Sequence, residues 1–196
     1  MRKLVSGVNY ARYALGELTV IALRDGHVDM PPSRLRRPGG GPFGADMPAQ
    51  VALVDGRLRL SVNAFLVVDR GEHILIDTGA ADAWLPTMGR LLHALEEAGV
   101  ARDAIGTIAF THTHEDHVNG LVAADGSDAF PNLDRLLVPE AELALFDGQE
   151  RLARFRQRRL PLADGFRLSP GIAAVRAHAT RSATPPSRSR APAKPC

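Results

Sequence analysis

The 196-residue chain has one cysteine, Cys196, at its last position. A single thiol cannot build a disulfide framework or a thiolate metal cage, so any metal site must draw on histidine and carboxylate. No run of about eighteen apolar residues is present, and the N-terminus lacks an apolar stretch closed by a small-residue cleavage site. Neither a membrane span nor a signal peptide is expected, and the cytoplasm is the default compartment. Apolar residues are not depleted: at 45% hydrophobic and 23% charged, the composition is that of a packed globular protein. The length suits one domain. Charge is scarce in one sign only near the end, where Arg181, Arg188, Arg190 and Lys194 have no acidic neighbour. The remaining 20 basic residues face 22 acidic ones, and a nearly neutral body argues against a nucleic-acid partner.

Strand and turn signals come first along the chain. Residues 17–24 are rich in β-formers, and Asp25-Gly26 reads as a turn that closes them, with His27 a lone surface imidazole just beyond. Residues 31–50, crowded with proline and glycine, predict a long loop. A hairpin around Asp55-Gly56 is followed by an apolar strand over 61–68, a turn at 69–72 and a second apolar strand over 73–76 that ends in Asp77-Thr78-Gly79. A carboxylate at the end of an apolar strand needs a partner, because burying it unpaired costs several kcal/mol.

Helical spacing at Met88, Leu91, Leu92 and Leu95, stopped by Gly99, predicts a helix over 87–98 with His93 on its solvent side. Residues 105–110 then form a strand, so the order strand, helix, strand is that of an α/β fold. Further on, 133–138 predicts a strand and 139–146 a short helix that opens on Pro139. The basic stretch 150–159, with Arg151, Arg154, Arg156, Arg158 and Arg159, reads as a solvated helix face, and 166–175 returns to an apolar pattern.

The chemistry lies directly after the strand at 105–110. His112, His114, Asp116 and His117 fall within six consecutive positions. These donor types bind a borderline-soft divalent cation such as zinc, and iron or manganese would also accept them. In an extended segment the period-two pair His112 and His114 projects to one side and can serve one ion. Asp116 and His117, after a turn, can serve a second. A loop at a strand's carboxyl end is also where open α/β sheets place ligands.

This sequence resembles the metallo-β-lactamase fold superfamily, whose hallmark is His-x-His-x-Asp-His. The resemblance covers roughly residues 15–178 and takes in the Asn63-Ala-Phe-Leu strand, the Ile74-Leu-Ile-Asp77-Thr-Gly79 segment and Phe130-Pro-Asn. It implies an αββα sandwich, here its N-terminal half to two-thirds, with the metal site at one edge of the sheets. It also implies two zinc ions, Asp77 as a carboxylate behind the loop that orients it, and Asp116 as the residue that binds one metal and orients the nucleophile. Water on zinc ionises near pH 7 while the metal polarises a carbonyl or phosphoryl oxygen. The implied activity is that of the small-molecule, lactonase-like hydrolases, acting on a small ester, lactone, thioester or amide. The alternative is a catalytically impaired metal-binding fragment.

Family members continue with Gly-His-Thr-x-Gly-His, then a bridging aspartate and a final histidine, none of which follows here. His178 falls about two residues early for the first of these. The sequence therefore divides into an incomplete metallo-β-lactamase-like domain over 1–178 and a tail over 179–196 whose composition predicts disorder. One permissible codon choice for 179–185, with a single G restored ahead of it, reads in the shifted frame as Gly-His-Thr-Val-Gly-His-Thr. A frameshifted end is thus expected, which sequencing the gene would check. Such a chain should expose apolar strand faces and edges, self-associate, bind zinc weakly and hydrolyse little.

Overall fold

The computed structural model describes residues 1–37, 39–44, 46–48 and 50–177. His178 and the tail over 179–196 lie outside them. The chain opens with three antiparallel strands, β1 (Arg2–Ser6), β2 (Tyr10–Leu15) and β3 (Leu18–Met30). After the 3-10 turn Pro32–Arg34 and the long loop, β4 (Leu53–Val54) turns at Asp55-Gly56 into β5 (Arg57–Asp69). Both turn residues have positive φ, 51° and 72°, as a tight two-residue hairpin requires. Arg70-Gly71 then turns the chain into β6 (Glu72–Ile76).

From β6 onward the pairing changes sense. Helix α1 (Leu91–Glu97) carries the chain to β7 (Thr107–Ala109), α2 (Glu115–Val118) follows that strand, and β8 (Arg135–Pro139), α3 (Leu143–Asp147) and β9 (Arg159–Leu162) complete the series. Strands β6, β7, β8 and β9 are mutually parallel, so their carboxyl ends open on one edge of the sheet. The sheet order is β1-β2-β3-β5-β6-β7-β8-β9, with β4 alongside β5. A hairpin of β10 (Arg167–Ser169) and β11 (Ile172–Ala173) forms a separate small sheet.

Strand alternation divides the core in two. Leu66, Leu75, Ile108 and Leu136 face the helices with Leu95, Phe110, Phe130, Phe146 and Phe155. Ile74, Ala109 and Leu137 face the other way, onto Leu168 and Ile172 of the hairpin. Each fully buried leucine or phenylalanine contributes about 1.5–3 kcal/mol, so both layers are held by ordinary apolar burial. Helices on one face and a β layer on the other are the layering expected of one side of the sandwich. Among the described residues no helix is long and apolar enough to cross a membrane.

Several sequence expectations need correction. Asp25-Gly26 is not a turn but the middle of β3, where the register against β5 shifts at a bulge. The buried Asp25 carboxylate accepts backbone N–H groups from Ala80, Gly89 and Leu91 at 3.0, 3.2 and 3.0 Å. Gly26 lies against the Thr87 carbonyl, where no side chain would fit. Burial pushes the Asp25 carboxyl up, and those N–H donors oppose the shift. The same contacts shorten the expected helix over 87–98, because residues 87–90 are spent on β3 and helix begins only where Asp25 meets the Leu91 N–H. The hairpin and strand read separately over 51–68 share one continuous strand, β5.

The basic stretch 150–159 also departs from expectation. It is a 3-10 segment, Glu150–Phe155, that leads into β9. Its arginines have acidic partners: Arg151 with Asp82, Arg154 and Arg158 with Asp128, Arg156 with Glu150, and Arg159 with Asp147 through two parallel bonds.

At the other end of β5, Asp69 is buried and accepts the Ser169 hydroxyl at 2.6 Å and the Gly171 N–H at 2.9 Å, pinning the hairpin to the sheet. These donors hold its carboxyl below the usual 3.8. A lowered folded-state pKa contributes stability above the unfolded value and loses it as pH falls through the folded one. Asp69→Ala should therefore be less stable than the parent at neutral pH, with the gap closing progressively below pH 3.8. Urea midpoints across a pH series measure this, and a gap that ignores pH would contradict it.

Candidate metal centre

The carboxyl ends of three adjacent parallel strands supply the site: Asp77 follows β6, residues 111–117 follow β7, and Glu142 follows β8. Asp77 turns out of its strand with φ of 61°, a left-handed conformation that aspartate tolerates better than most residues. Its carboxylate reaches across to the loop after β7. Oδ1 accepts the Thr111 N–H at 2.8 Å, and Oδ2 accepts the Thr111 hydroxyl at 2.8 Å and pairs with His117 Nδ1 at 2.9 Å. The charge of Asp77 is thus compensated within the loop, as the sequence required. The turn is sealed by the Thr78 N–H and hydroxyl, which both donate to the His117 carbonyl at 2.7 and 2.8 Å.

These hydrogen bonds fix which ring nitrogens carry protons. A carboxylate accepts only, so His117 donates from Nδ1, and in the neutral ring its Nε2 is bare. Asp116 Oδ2 lies 3.6 Å from that nitrogen. The Thr111 hydroxyl has already given its proton to Asp77, so at 3.0 Å it can only accept from His112 Nδ1. His112 therefore also presents a bare Nε2. Burial holds the His112 pKa down, helped by the neighbouring imidazoles of His117 and His114. Burial also works against the charged form of His117, but the hydrogen bond and charge of Asp77, with Asp116 and Glu142, outweigh it and raise that pKa.

The His112 ring packs against both other imidazoles. Ring centroids of His112 and His117 are 3.8 Å apart, and those of His112 and His114 are 4.7 Å apart in an edge-on pair. Among the described residues no three His, Cys, Asp or Glu side chains converge as a finished cation cage. The structure thus brings His112, His114, Asp116 and His117 into one cluster, with rings packed on one another. The donor chemistry suits a divalent cation: imidazoles with free lone pairs beside a carboxylate, backed by a carboxylate that orients one ring.

Two partners of the loop had no signal in the sequence. Glu142 Oε2 accepts the Thr113 N–H at 2.6 Å and the Thr113 hydroxyl at 2.8 Å, and Gln149 Nε2 donates to the Thr113 carbonyl at 2.9 Å. The spacing of 139–146 announced only a helix start. A cleft of about 520 Å³ lies beside these strand ends, lined by Ile76, Leu162, Leu168 and Ile172 and reaching Thr111 and Glu142.

A model of the metallo-beta-lactamase superfamily matches residues 57–159, more than half of the chain. The chain belongs to the metallo-β-lactamase superfamily. No curated protein sequence matches it. Among solved structures it resembles the hydrolase AbOPH of the β-lactamase superfamily, with 26% identity and a TM-score of 0.65 over 83% of this chain and 64% of that one. The dizinc quorum-quenching lactonase AidC, in complex with a product, is similar at 21% identity, with the same TM-score of 0.65 and the same coverage, 83% and 64%. A probable metal-dependent hydrolase from Staphylococcus aureus is similar at 16% identity and a TM-score of 0.61, over 81% and 64%. The chain thus spans about 64% of the length of each of these structures.

Asp77→Asn removes the charge that favours the His117 imidazolium but keeps an acceptor in place. In a histidine NMR titration of the metal-free chain, His117 should titrate at lower pH in that variant. An unchanged His117 curve would show that Asp77 does not govern the ring.

Proposed function

We propose that the chain is a metal-dependent hydrolase that uses zinc to cleave a small ester, lactone, thioester or amide. The observation that carries this reading is the loop after β7, in which His112 and His117 each have one ring nitrogen tied back and the other bare, beside His114 and Asp116. His112 and His114 would hold one cation, and Asp116 with His117 a second. When bound, zinc ionises water near pH 7 and polarises the carbonyl oxygen under attack.

The remaining tasks fall to the chain's own side chains. Asp77 fixes the tautomer and orientation of His117 and holds Thr111, which in turn sets the His112 tautomer. Burial disfavours the charged form of His112, which favours a free lone pair. Asp116, whose carboxylate lies 3.6 Å from His117 Nε2, would orient the attacking water and accept its proton. The cleft beside Thr111 has the volume of a small-molecule site, and its apolar side, Ile76, Leu162, Leu168 and Ile172, suits the acyl portion of such a substrate. Likeness to a dizinc lactonase puts lactones first among substrates to test. A second reading, cation uptake without turnover, is favoured by the ring-on-ring packing of His112 and His117.

Zinc added to the metal-free chain should raise its melting temperature, and His112→Ala and His117→Ala should abolish that shift. Zinc-dependent hydrolysis, measured on a panel of lactones, esters, thioesters and amides, should fall about 10²-fold or more in Asp116→Ala, the scale of losing a positioned base. Zinc uptake with no turnover on any member would establish the second reading, and no uptake at all would overturn both.

A further inference from the structure

We infer that Glu142 is a positioning residue for the histidine loop, acting from the end of β8 as Asp77 acts from the end of β6. The consequence for metal rests on the function proposed above, but the tether does not. Residues 111–114 alternate threonine and histidine, and in an extended segment alternate side chains fall on opposite sides. Both threonines are gripped in the same way. Asp77 takes the N–H and hydroxyl of Thr111, and Glu142 takes the N–H and hydroxyl of Thr113, with distances of 2.6–2.8 Å throughout.

Gln149, seven residues beyond Glu142, donates to the Thr113 carbonyl. All three polar groups of Thr113 are therefore taken by the 140–149 segment. Asp77 from the β6 side and Glu142 from the β8 side thus fix the backbone before and after His112 and immediately before His114. Carboxylate bonds to N–H and O–H groups are among the shorter and stronger protein hydrogen bonds, so this is a firm tether at a residue flanked by two candidate ligands. Neither Glu142 nor Gln149 is proposed to touch metal or substrate.

The test compares the full chain with Glu142→Ala and Glu142→Gln. In the metal-free proteins, hydrogen exchange at the Thr113 amide reads the tether directly, and core amides such as that of Leu66 report any general loosening. Exchange at Thr113 should be faster in Glu142→Ala while Leu66 is unchanged. In Glu142→Gln it should stay slow, because the amide oxygen can accept both bonds. Zinc affinity, from competition with a chromogenic chelator, should fall about 10- to 100-fold in Glu142→Ala, the usual effect of removing a partner that orients a ligand, and remain near the parent in Glu142→Gln. The visible absorption of the cobalt(II)-loaded protein should change in the alanine variant alone.

Unchanged Thr113 exchange in Glu142→Ala overturns the inference. So does faster exchange with undiminished zinc affinity, or a glutamine variant as impaired as alanine. If the parent takes up no zinc, the metal reading fails, and faster Thr113 exchange confined to the alanine variant still supports the tether.

Discussion

Asp77 leaves β6 in a left-handed turn and sends its carboxylate across to the loop of the neighbouring strand. Three donors meet it there: the Thr111 N–H, the Thr111 hydroxyl and His117 Nδ1. Without them a carboxylate only 5% exposed would be a buried charge with no partner, a cost of several kcal/mol. With them, the end of β6 and the loop after β7 become one unit. The parallel pairing of these strands makes this geometry available, because it brings successive carboxyl ends side by side on the same edge. Antiparallel strands would have sent them to opposite edges.

Close backbone packing extends the unit toward β3. A Cβ on Gly79 would collide with the Asp25 carboxylate, and one on Gly120 would collide with the Thr78 carbonyl. The bulge in β3, the turn at 77–80 and the turn after α2 are therefore stacked at distances that only glycine permits. Asp25 closes the far side by accepting the N–H groups of Ala80, Gly89 and Leu91. A shift in any of these turns would reach the histidine loop through backbone contacts.

What the sequence made legible was local. The His-x-His-x-Asp-His spacing, the apolar strands over 73–76 and 105–110, and the turns at Asp55-Gly56 and 69–72 are each visible in a short window; the fold forms both turns and both strands, the second shortened to Thr107–Ala109. The need for a partner at Asp77 was visible as well, because strand-end burial of a carboxylate has few solutions. Features set by distant contacts were not legible. Asp25-Gly26 has the composition of a turn, yet its carboxylate is claimed by donors 55–66 residues away, so the strand runs on. Glu142 looks like any acid in the first turn of a helix, and its partner Thr113 lies 29 residues earlier. The segment 159–162 contains a proline and follows a run of arginines, and it becomes a strand because β8 offers it an open edge.

Magnitudes explain why the turn at Asp77 and the loop after β7 should order together. A left-handed backbone costs about 1–2 kcal/mol for an L-residue, somewhat less for aspartate. Each hydrogen bond to a charged group returns about 1.5–3 kcal/mol. One such bond is comparable with the strain, whereas three exceed it. The turn therefore keeps its shape only while Thr111 and His117 are docked against it. In the reverse direction, His117 has its Nδ1 satisfied and its ring fixed only while that turn persists. Each half supplies what the other lacks, so the imidazoles and their supporting carboxylate form a cooperative element that loosens as a whole.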